Sequence, residues 1–278
     1  MSDGHAQAEC QMPVEAATSR RFQVIRHVRG ETVDASRLAP EEAPVALVHD
    51  ATTTAVMLAT PADLEDFAIG FSLTEGFIEE VAQVTGVEVV RSDLGFEARV
   101  WLAAGRAALH AARRRRLAGP TGCGLCGVES LEQALPPVRR VGDGLRISAA
   151  QVHAALEALT AGQSLGATTR AVHAAGWWRA DTGLVAVRED VGRHNALDKL
   201  AGALARAGEL GGEGVLVLTS RVSVEMVQKA AAIGAQVVVA VSAPTALAVR
   251  TAQACGLTLA AVARADGFEV FTHSERIV

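Results

Sequence analysis

Two short apolar runs in the second half constrain the fold of this chain most strongly: VLVL at 215–218 and VVVAV at 237–241. Neither run alternates with polar residues, so both faces of each predicted strand must be buried. Helical patterns at 195–208, 223–234 and 245–256 separate these strands and the strand that follows them. Strands buried on both faces and joined by helices are typical of a parallel sheet. The sequence therefore predicts an α/β fold.

The first half of the chain is richer in strand patterns. Its predicted strands lie at 21–28, 43–50, 55–60, 86–92 and 96–103. One helix is predicted within 60–80, which Thr60 can cap and whose first position suits Pro61. In the second half, a helix at 148–162 begins with a capping box of Ser148 and Gln151, and a hairpin spans 169–190.

These patterns divide the chain into four predicted segments. Residues 1–20 form a disordered tail, 21–110 a β-rich N-terminal subdomain with one helix, 111–130 a mobile C-x-x-C loop, and 131–278 the layered α/β domain. The smaller subdomain is thus expected to precede the larger one.

Charge and hydropathy exclude some partners. The net charge of −5 gives no general attraction to nucleic acid or to anionic membranes. The longest apolar stretch, around 237–249, is too short to cross a bilayer. The four cysteines are too few and too scattered for a disulfide-stapled secreted fold. We predict a cytoplasmic protein with no nucleic-acid or membrane partner.

The motif TGCGLCG at 121–127 places Cys123 and Cys126 two residues apart between glycines. A structural zinc site needs four ligands, and only one pair is present, so we expect no bound metal. A thioredoxin-like redox pair needs a helix start, which the flanking glycines disfavour. An incidental pair in a glycine turn and a sulfur carrier stay open. A carrier needs an accessible thiolate on a segment that can reach both donor and acceptor.

Two predicted strand-to-helix junctions resemble each other. Each places small hydroxyl residues after a buried strand, where helix N–H groups favour anions. The candidates for contacting phosphate or ribose are Ser220, Arg221, Ser223, Ser242 and Thr245. The alternative stays open that Ser223 and Thr245 are ordinary helix caps.

A third unusual stretch, REDVGRHNALDKL at 188–200, crowds charged residues into a strand-to-helix turn. We expect much of it to be a solvated face of ion pairs. His194, near the helix start, should favour its neutral form. It can then handle protons beside a thiol or bind a base.

The motifs TGCGLCG, REDVGRHNALDKL, TSRVSVEMVQKAA and SAPTALAV, in this order, resemble those of the formate dehydrogenase accessory sulfurtransferases. The resemblance runs from about residue 40 to the C-terminus. It implies a cytidine-deaminase-like layered α/β fold and a cytoplasmic homodimer. It also implies that sulfur from a cysteine desulfurase is carried as a cysteine persulfide to the bis-molybdopterin guanine dinucleotide molybdenum cofactor, before that cofactor enters formate dehydrogenase.

The resemblance also implies roles for particular residues. Cys123 matches the persulfide cysteine and Cys126 its partner. The matching cofactor-binding stretch is Val262, Ala263, Arg264, Ala265, Asp266 and Gly267.

Because the chain has only two lysines, arginine must bind any phosphate, and we expect Arg221 and Arg264 to bind GDP as a fragment of the cofactor. The alternative function is a chaperone module that binds the guanine nucleotide or cofactor without transferring sulfur itself.

Overall fold

The structure, a computed structural model, describes residues 16–103 and 137–278. Its strands are β1 (Ser19–Val28), β2 (Glu31–Pro40), β3 (Ala43–His49), β4 (Thr52–Ala59), β5 (Val84–Ser92), β6 (Gly95–Leu102), β7 (His173–Arg179), β8 (Gly183–Asp190), β9 (Val215–Leu218), β10 (Val237–Ala240), β11 (Thr258–Arg264) and β12 (Gly267–Thr272). Its helices are α1 (Leu64–Thr74), α2 (Ala149–Gly162), α3 (Ser164–Thr169), α4 (Arg193–Ala207), α5 (Val224–Ala232) and α6 (Ala246–Cys255), with 3₁₀ turns at Val81–Gln83 and Ser274–Arg276.

A six-stranded sheet has the order β12–β11–β10–β9–β7–β8. Its central strands β9, β10 and β11 are parallel, which confirms the predicted parallel core. Every residue of β9 and β10 is buried. Apolar side chains of α4, α5 and α6 cover one face, and α2 covers part of the other. The α/β prediction is therefore confirmed.

The N-terminal part forms a second sheet, in the order β4–β3–β6–β5, with α1 packed on one face. The hairpin β1–β2 pairs only within itself. Strand β2 and helix α3 were not predicted from the sequence. The division into a tail, a subdomain, a loop and a domain stays a prediction.

The helix α1 begins at Leu64, so the prediction that Thr60 caps it and Pro61 opens it is wrong. Its N-cap is Asp63, in a left-handed conformation. The Thr60 amide instead donates to Asp190 Oδ2 at 3.0 Å, and Thr60 Oγ1 accepts from Val191 N at 3.2 Å. Thr60 therefore joins the two parts of the chain.

The predicted capping box of α2 is confirmed. The Gln151 amide donates to Ser148 Oγ at 3.2 Å, and the Ser148 amide donates to Gln151 Oε1 at 2.8 Å. Two orphan N–H groups at the helix start are satisfied in this way.

Helices α1 and α4 cross at two glycines. A Cβ added to Gly70 would lie 2.7 Å from Gly202 N and closer still to the carbonyl oxygen of Asp198. A Cβ on Gly202 would lie 2.8 Å from Asp66 Cα and would overlap the Asp66 carbonyl. The two backbones are therefore in direct contact, which fixes the N-terminal part on the large sheet's helical layer.

No helix in the described ranges is long and apolar enough to span a membrane.

Candidate functional site

The carboxyl ends of β8, β9 and β10 lie along one edge of the large sheet, and α4, α5 and α6 begin there. Backbone hydrogen bonds run along this row. Thr219 N donates to Ala174 O (3.1 Å), Val241 N to Leu218 O (2.8 Å) and Val262 N to Ser242 O (3.2 Å). We call this row, from Asp190 to Arg264, the carboxyl edge. Three helix N-termini give it a positive electrostatic character that favours anions.

The two hydroxyl-bearing junctions predicted from the sequence lie side by side on this edge. Val222 N donates to Ala243 O at 3.3 Å, and Thr245 N donates to Val222 O at 2.9 Å. The pairing brings residues 220–223 and 242–245 together, as the sequence analysis expects.

The hydroxyl groups at these two junctions differ in their hydrogen bonds. Thr245 is an ordinary cap, because its Oγ1 accepts from Ala248 N at 3.2 Å. Ser220 Oγ donates to the Arg221 carbonyl at 3.1 Å. Ser223 occupies the N-cap position of α5 without accepting a hydrogen bond from the helix, and its buried Oγ has no partner among the described residues. The capping interpretation thus holds for Thr245 and fails for Ser223.

The stretch Val262–Gly267 is the turn between β11 and β12. A β-bulge separates Ala261 from Arg264, and Val262 has a φ of 53°. A β-branched residue rarely adopts this left-handed conformation, which stores strain beside the carboxyl edge. Ala265 and Asp266 are exposed at the tip. Arg264 folds back, and its Nη1 donates to the carbonyl oxygens of Val241 and Ala263.

Two partly buried histidines lie at the other end of the carboxyl edge. Burial and the cations of Lys229 and Arg193 lower the pKa of His194 from 6.5 to about 3. The predicted neutral form of His194 is confirmed, with burial as the main cause. His194 Nε2 is buried without a hydrogen-bond partner in the described part of the chain. The sequence analysis missed His173, the first residue of β7, whose pKa is lowered by burial and by Arg193 and Arg221.

His194 should make the chain sensitive to acid. Unfolding returns the pKa of His194 from about 3 to its ordinary 6.5, so protonation favours the unfolded chain. The stability from neutral His194 is complete above pH 6.5 and is lost as the pH falls toward 3. In His194→Gln, the free energy of unfolding should fall less steeply over this range, by up to about 1.4 kcal/mol per pH unit.

Urea titrations at a series of pH values measure this slope. The same substitution at His27, which is exposed on the β1–β2 hairpin, is the control. Equal slopes for wild type and His194→Gln would show that folding does not shift the pKa of this imidazole.

The charged motif at 188–200 is not a solvated face, and that prediction is wrong. Asp190 and Lys199 are both 0% exposed and form an ion pair of 2.6 Å. Asp190 also accepts from the amides of Thr60 and Gly192 and from Asn195 Nδ2. Partners from the first half of the chain cover these groups, so the motif is an internal connection.

A second buried network includes Asp198, the residue directly before Lys199 on α4. Lys229 Nζ donates to both oxygens of Asp198 (2.8 and 3.0 Å) and to Glu75 Oε1 (2.7 Å). Burial lowers the pKa of Lys229, but the two carboxylates outweigh it and hold that pKa above its ordinary value. Burial raises the pKa of Asp198 to about 6 against the opposing effect of Lys229. The short contacts of Lys229 Nζ with Asp198 and Glu75 are those of a buried ion-pair network.

A third group of charged side chains holds helix α1 against α4 and β8. Asp66 accepts from Arg188 Nη2 at 2.7 Å and from Arg206 Nη1 at 2.8 Å. The role of the motif is thus to bind α1 and the end of β4 to α4. Lys199 and Lys229 both form ion pairs in the interior. The cationic side chains that can bind an anion at the carboxyl edge are therefore arginines.

Cys123 and Cys126 lie outside the described residues. Among the residues that are described, the cysteine is Cys255, which is buried at the end of α6 and has a pKa raised mainly by burial. A buried thiol with a raised pKa is a poor nucleophile, so Cys255 is unsuited to sulfur transfer.

Comparison with known proteins identifies the family. The model of the FdhD/NarQ family matches residues 40–278. The sulfur carrier protein FdhD of Agrobacterium fabrum is 50% identical over 254 residues, which cover 90% of this chain and 92% of the relative. The Brucella abortus protein of the same name is 49% identical over 261 residues, covering 94% and 97%.

The crystal structure of a candidate formate dehydrogenase accessory protein from Desulfotalea psychrophila has the same fold. It has a TM-score of 0.76 at 23% identity, and the match covers 94% of this chain and 100% of that one. Fold, motif order and sequence identity agree, and this chain belongs to the FdhD/NarQ family.

Proposed function

We propose that this chain is a sulfurtransferase that carries sulfur as a persulfide on Cys123. A cysteine desulfurase supplies the sulfur, and the acceptor is the bis-molybdopterin guanine dinucleotide molybdenum cofactor destined for formate dehydrogenase. The observation that carries the proposal is the near 50% identity, over nine-tenths of the chain, to relatives named sulfur carrier proteins. The cytoplasmic location, the homodimer and the cytidine-deaminase-like character of the fold belong to the same proposal.

The loading step is a thiol exchange. The Cys123 thiolate attacks the outer sulfur of the desulfurase persulfide, and a new S–S bond forms on Cys123. The old S–S bond breaks, and the desulfurase cysteine leaves as a thiolate. No net oxidation occurs.

Release can use Cys126. Its thiolate attacks the inner sulfur of the Cys123 persulfide, which forms a Cys123–Cys126 disulfide and frees the outer sulfur as sulfide for the cofactor. The two thiols are oxidised to the disulfide while the outer sulfur is reduced. A dithiol reductant must reopen the disulfide before the next cycle.

In this proposal, the carboxyl edge binds the cofactor that accepts the sulfur. The cofactor's guanine nucleotide arms carry diphosphates, and helix N-termini with N–H groups pointing outward suit such anions. GDP is the corresponding fragment. We place it between the junction residues 220–223 and 242–245 and the turn at 262–267, with His194 toward the base.

Cys123→Ser should abolish sulfur loading. After incubation with a cysteine desulfurase and cysteine, mass spectrometry should find one added sulfur atom on Cys123 of the wild type and none on this variant. Cys126→Ser should load sulfur but fail to release it, so formate dehydrogenase activation is lost in both. Cys255→Ser is the matched control and should load normally, because its thiol is buried.

Normal activation of formate dehydrogenase by Cys123→Ser would refute the sulfur-carrier proposal. GDP binding without any sulfur uptake by the wild type would instead support the chaperone alternative.

A further inference from the structure

The two faces of the hairpin β1–β2 differ in polarity. Directly opposed residues of an antiparallel pair lie on the same face, as does every second residue along each strand. One face is mostly apolar, and we call it the arm face. Its opposed pairs are Phe22–Arg37, Val24–Ala35, Arg26–Val33 and Val28–Glu31.

The other face of the hairpin is polar. Arg21 Nη1 donates to Ser36 Oγ at 3.0 Å, and His27 Nδ1 lies 3.0 Å from Thr32 Oγ1. These side-chain hydrogen bonds link the two strands across that face. The hairpin is therefore amphipathic, with the arm face as its apolar side.

The arm face is open to solvent. Phe22, Val28 and Val33 on this face are 47%, 46% and 46% exposed. The two strands pair only with each other, and a two-stranded hairpin is at best marginally stable by itself in water. An exposed apolar face on such an element indicates an interaction surface.

A second open apolar surface lies on the four-stranded sheet. Helix α1 packs on one face of this sheet. The opposite face presents Val56, Leu58 and Trp101, which are 52%, 57% and 40% exposed. A solvated sheet face normally carries polar side chains in alternation. These three positions therefore mark a second interaction surface, which we call the outer sheet face.

Charge favours contact between the arm face and the body of a second copy of the chain. Residues 19–40 contain five arginines and two carboxylates, a net charge of +3, whereas the whole chain carries −5, so the remainder carries −8. On the outer sheet face, Arg99 pairs with Glu97 at 2.7 Å and with Glu88 at 3.6 Å, which leaves one negative charge. A basic arm would thus meet an acidic surface.

The area available is sufficient for a stable dimer. Strands of ten residues give a hairpin about 34 Å long and about 10 Å wide, so one of its faces covers about 340 Å². If each of two copies lays its arm on the other, four such faces are buried, about 1,400 Å² in total, and specific interfaces bury about 1,200–2,000 Å².

We propose that β1–β2 is a dimerisation arm, whose arm face packs on the outer sheet face of a second copy of this chain. The packing is reciprocal, so each copy gives one arm and receives one. The inference rests on the homodimer of the proposed function and names the two surfaces that form it. Two sheets pack face to face in this way, about 10 Å apart, in β-sandwiches.

Sedimentation equilibrium tests the arm. The wild type should be a dimer, and Phe22→Glu/Val33→Glu should weaken it at least a hundredfold, because each arm loses two apolar contacts and must bury two charges. Ile25→Glu is the matched control. Ile25 is 66% exposed on the polar face of the same hairpin, so this variant should keep the wild-type affinity.

The receiving surface has its own variant. Leu58→Glu should weaken the dimer to a similar extent while leaving the hairpin unchanged. Leu94→Glu is its control and should stay dimeric, because Leu94 lies at the β5–β6 turn of the same sheet and is 76% exposed. Circular dichroism should be the same for all of these variants, since every substituted side chain is on the surface.

Mixing the two defective variants tests the reciprocal exchange. Phe22→Glu/Val33→Glu keeps an intact outer sheet face and Leu58→Glu keeps an intact arm, so one of the two contacts can form between them. The mixture should form heterodimers at concentrations where each variant alone is a monomer. Wild-type affinity in either variant would overturn the proposal, as would a mixture that stays monomeric. A monomeric wild type would also overturn it and would leave the arm face to another occupant.

Sulfur loading of Cys123 separates this inference from the proposed function. A wild type that dimerises through the arm but takes up no sulfur would refute the carrier and leave the arm standing. A monomeric wild type that accepts sulfur would refute the arm and leave the carrier standing.

Discussion

Gly202→Ala is expected to lower the free energy of unfolding by about 3 kcal/mol or more. The new Cβ would meet the backbone of α1 at Asp66, with Cα 2.8 Å away and the carbonyl closer. Backbone atoms cannot rotate aside, so the two helices must separate and the core between them must loosen. Urea denaturation followed by circular dichroism measures the loss.

The sign of this effect is diagnostic. In an isolated helix, replacing an interior glycine by alanine stabilises the helix by about 1 kcal/mol. If nothing crowded the new Cβ, Gly202→Ala should therefore stabilise the chain. Gly70→Ala should be destabilising for the same reason as Gly202→Ala, because its Cβ would meet Asp198. Gly144→Ala, where nothing lies within 4 Å of the added Cβ, is the control and should be close to neutral. Increased stability of Gly202→Ala would show that α1 and α4 do not touch there.

Lys199→Met is expected to lower the free energy of unfolding by about 3–5 kcal/mol, the usual effect of breaking a buried ion pair. Methionine can fill much of the space, but the carboxylate of Asp190 stays buried without its cation. The Thr60 carbonyl also loses the 2.8 Å bond from Lys199 Nζ. The free energy of unfolding, from urea titration at neutral pH, gives the size of the loss.

Arg99→Met is the matched control for this buried pair. Arg99 pairs with Glu97 on β6, where both side chains are more than a third exposed, and its removal should cost about 1 kcal/mol or less. Similar losses in the two variants would mean that water reaches the Asp190–Lys199 pair.

The periodic parts of the fold could be predicted from the sequence. The apolar runs of β9 and β10 report burial on both faces, and residues 148–151 specify their own helix start. These signals are local, because each depends on a few neighbouring residues. Strand β2 lacks such a signal: it mixes charged and small residues and pairs only with β1.

The buried charges could not be predicted in the same way. Arg188 binds Asp66, which lies 122 positions earlier, and Asn195 binds the Leu58 carbonyl across 137 positions. A run of alternating charges looks solvated until its partners are known. The junctions at 220 and 242 could be predicted, since parallel strands bring their ends to one edge. The position of His173 could not, because only the pairing of β7 between β8 and β9 brings it within electrostatic range of Arg193 and Arg221.

The internal ion pairs explain which lysines this arginine-rich chain contains. Of its 26 basic side chains, only Lys199 and Lys229 are lysine, and they are 0% and 5% exposed. Lys229 Nζ donates to four oxygens of Thr74, Glu75 and Asp198 within 2.7–3.0 Å. A compact ammonium fits such a cluster, whereas a planar guanidinium is larger and fixed in shape. Lysine side chains are therefore interior groups in this chain, and an amine-directed reagent that modifies them reports unfolding and not the native surface.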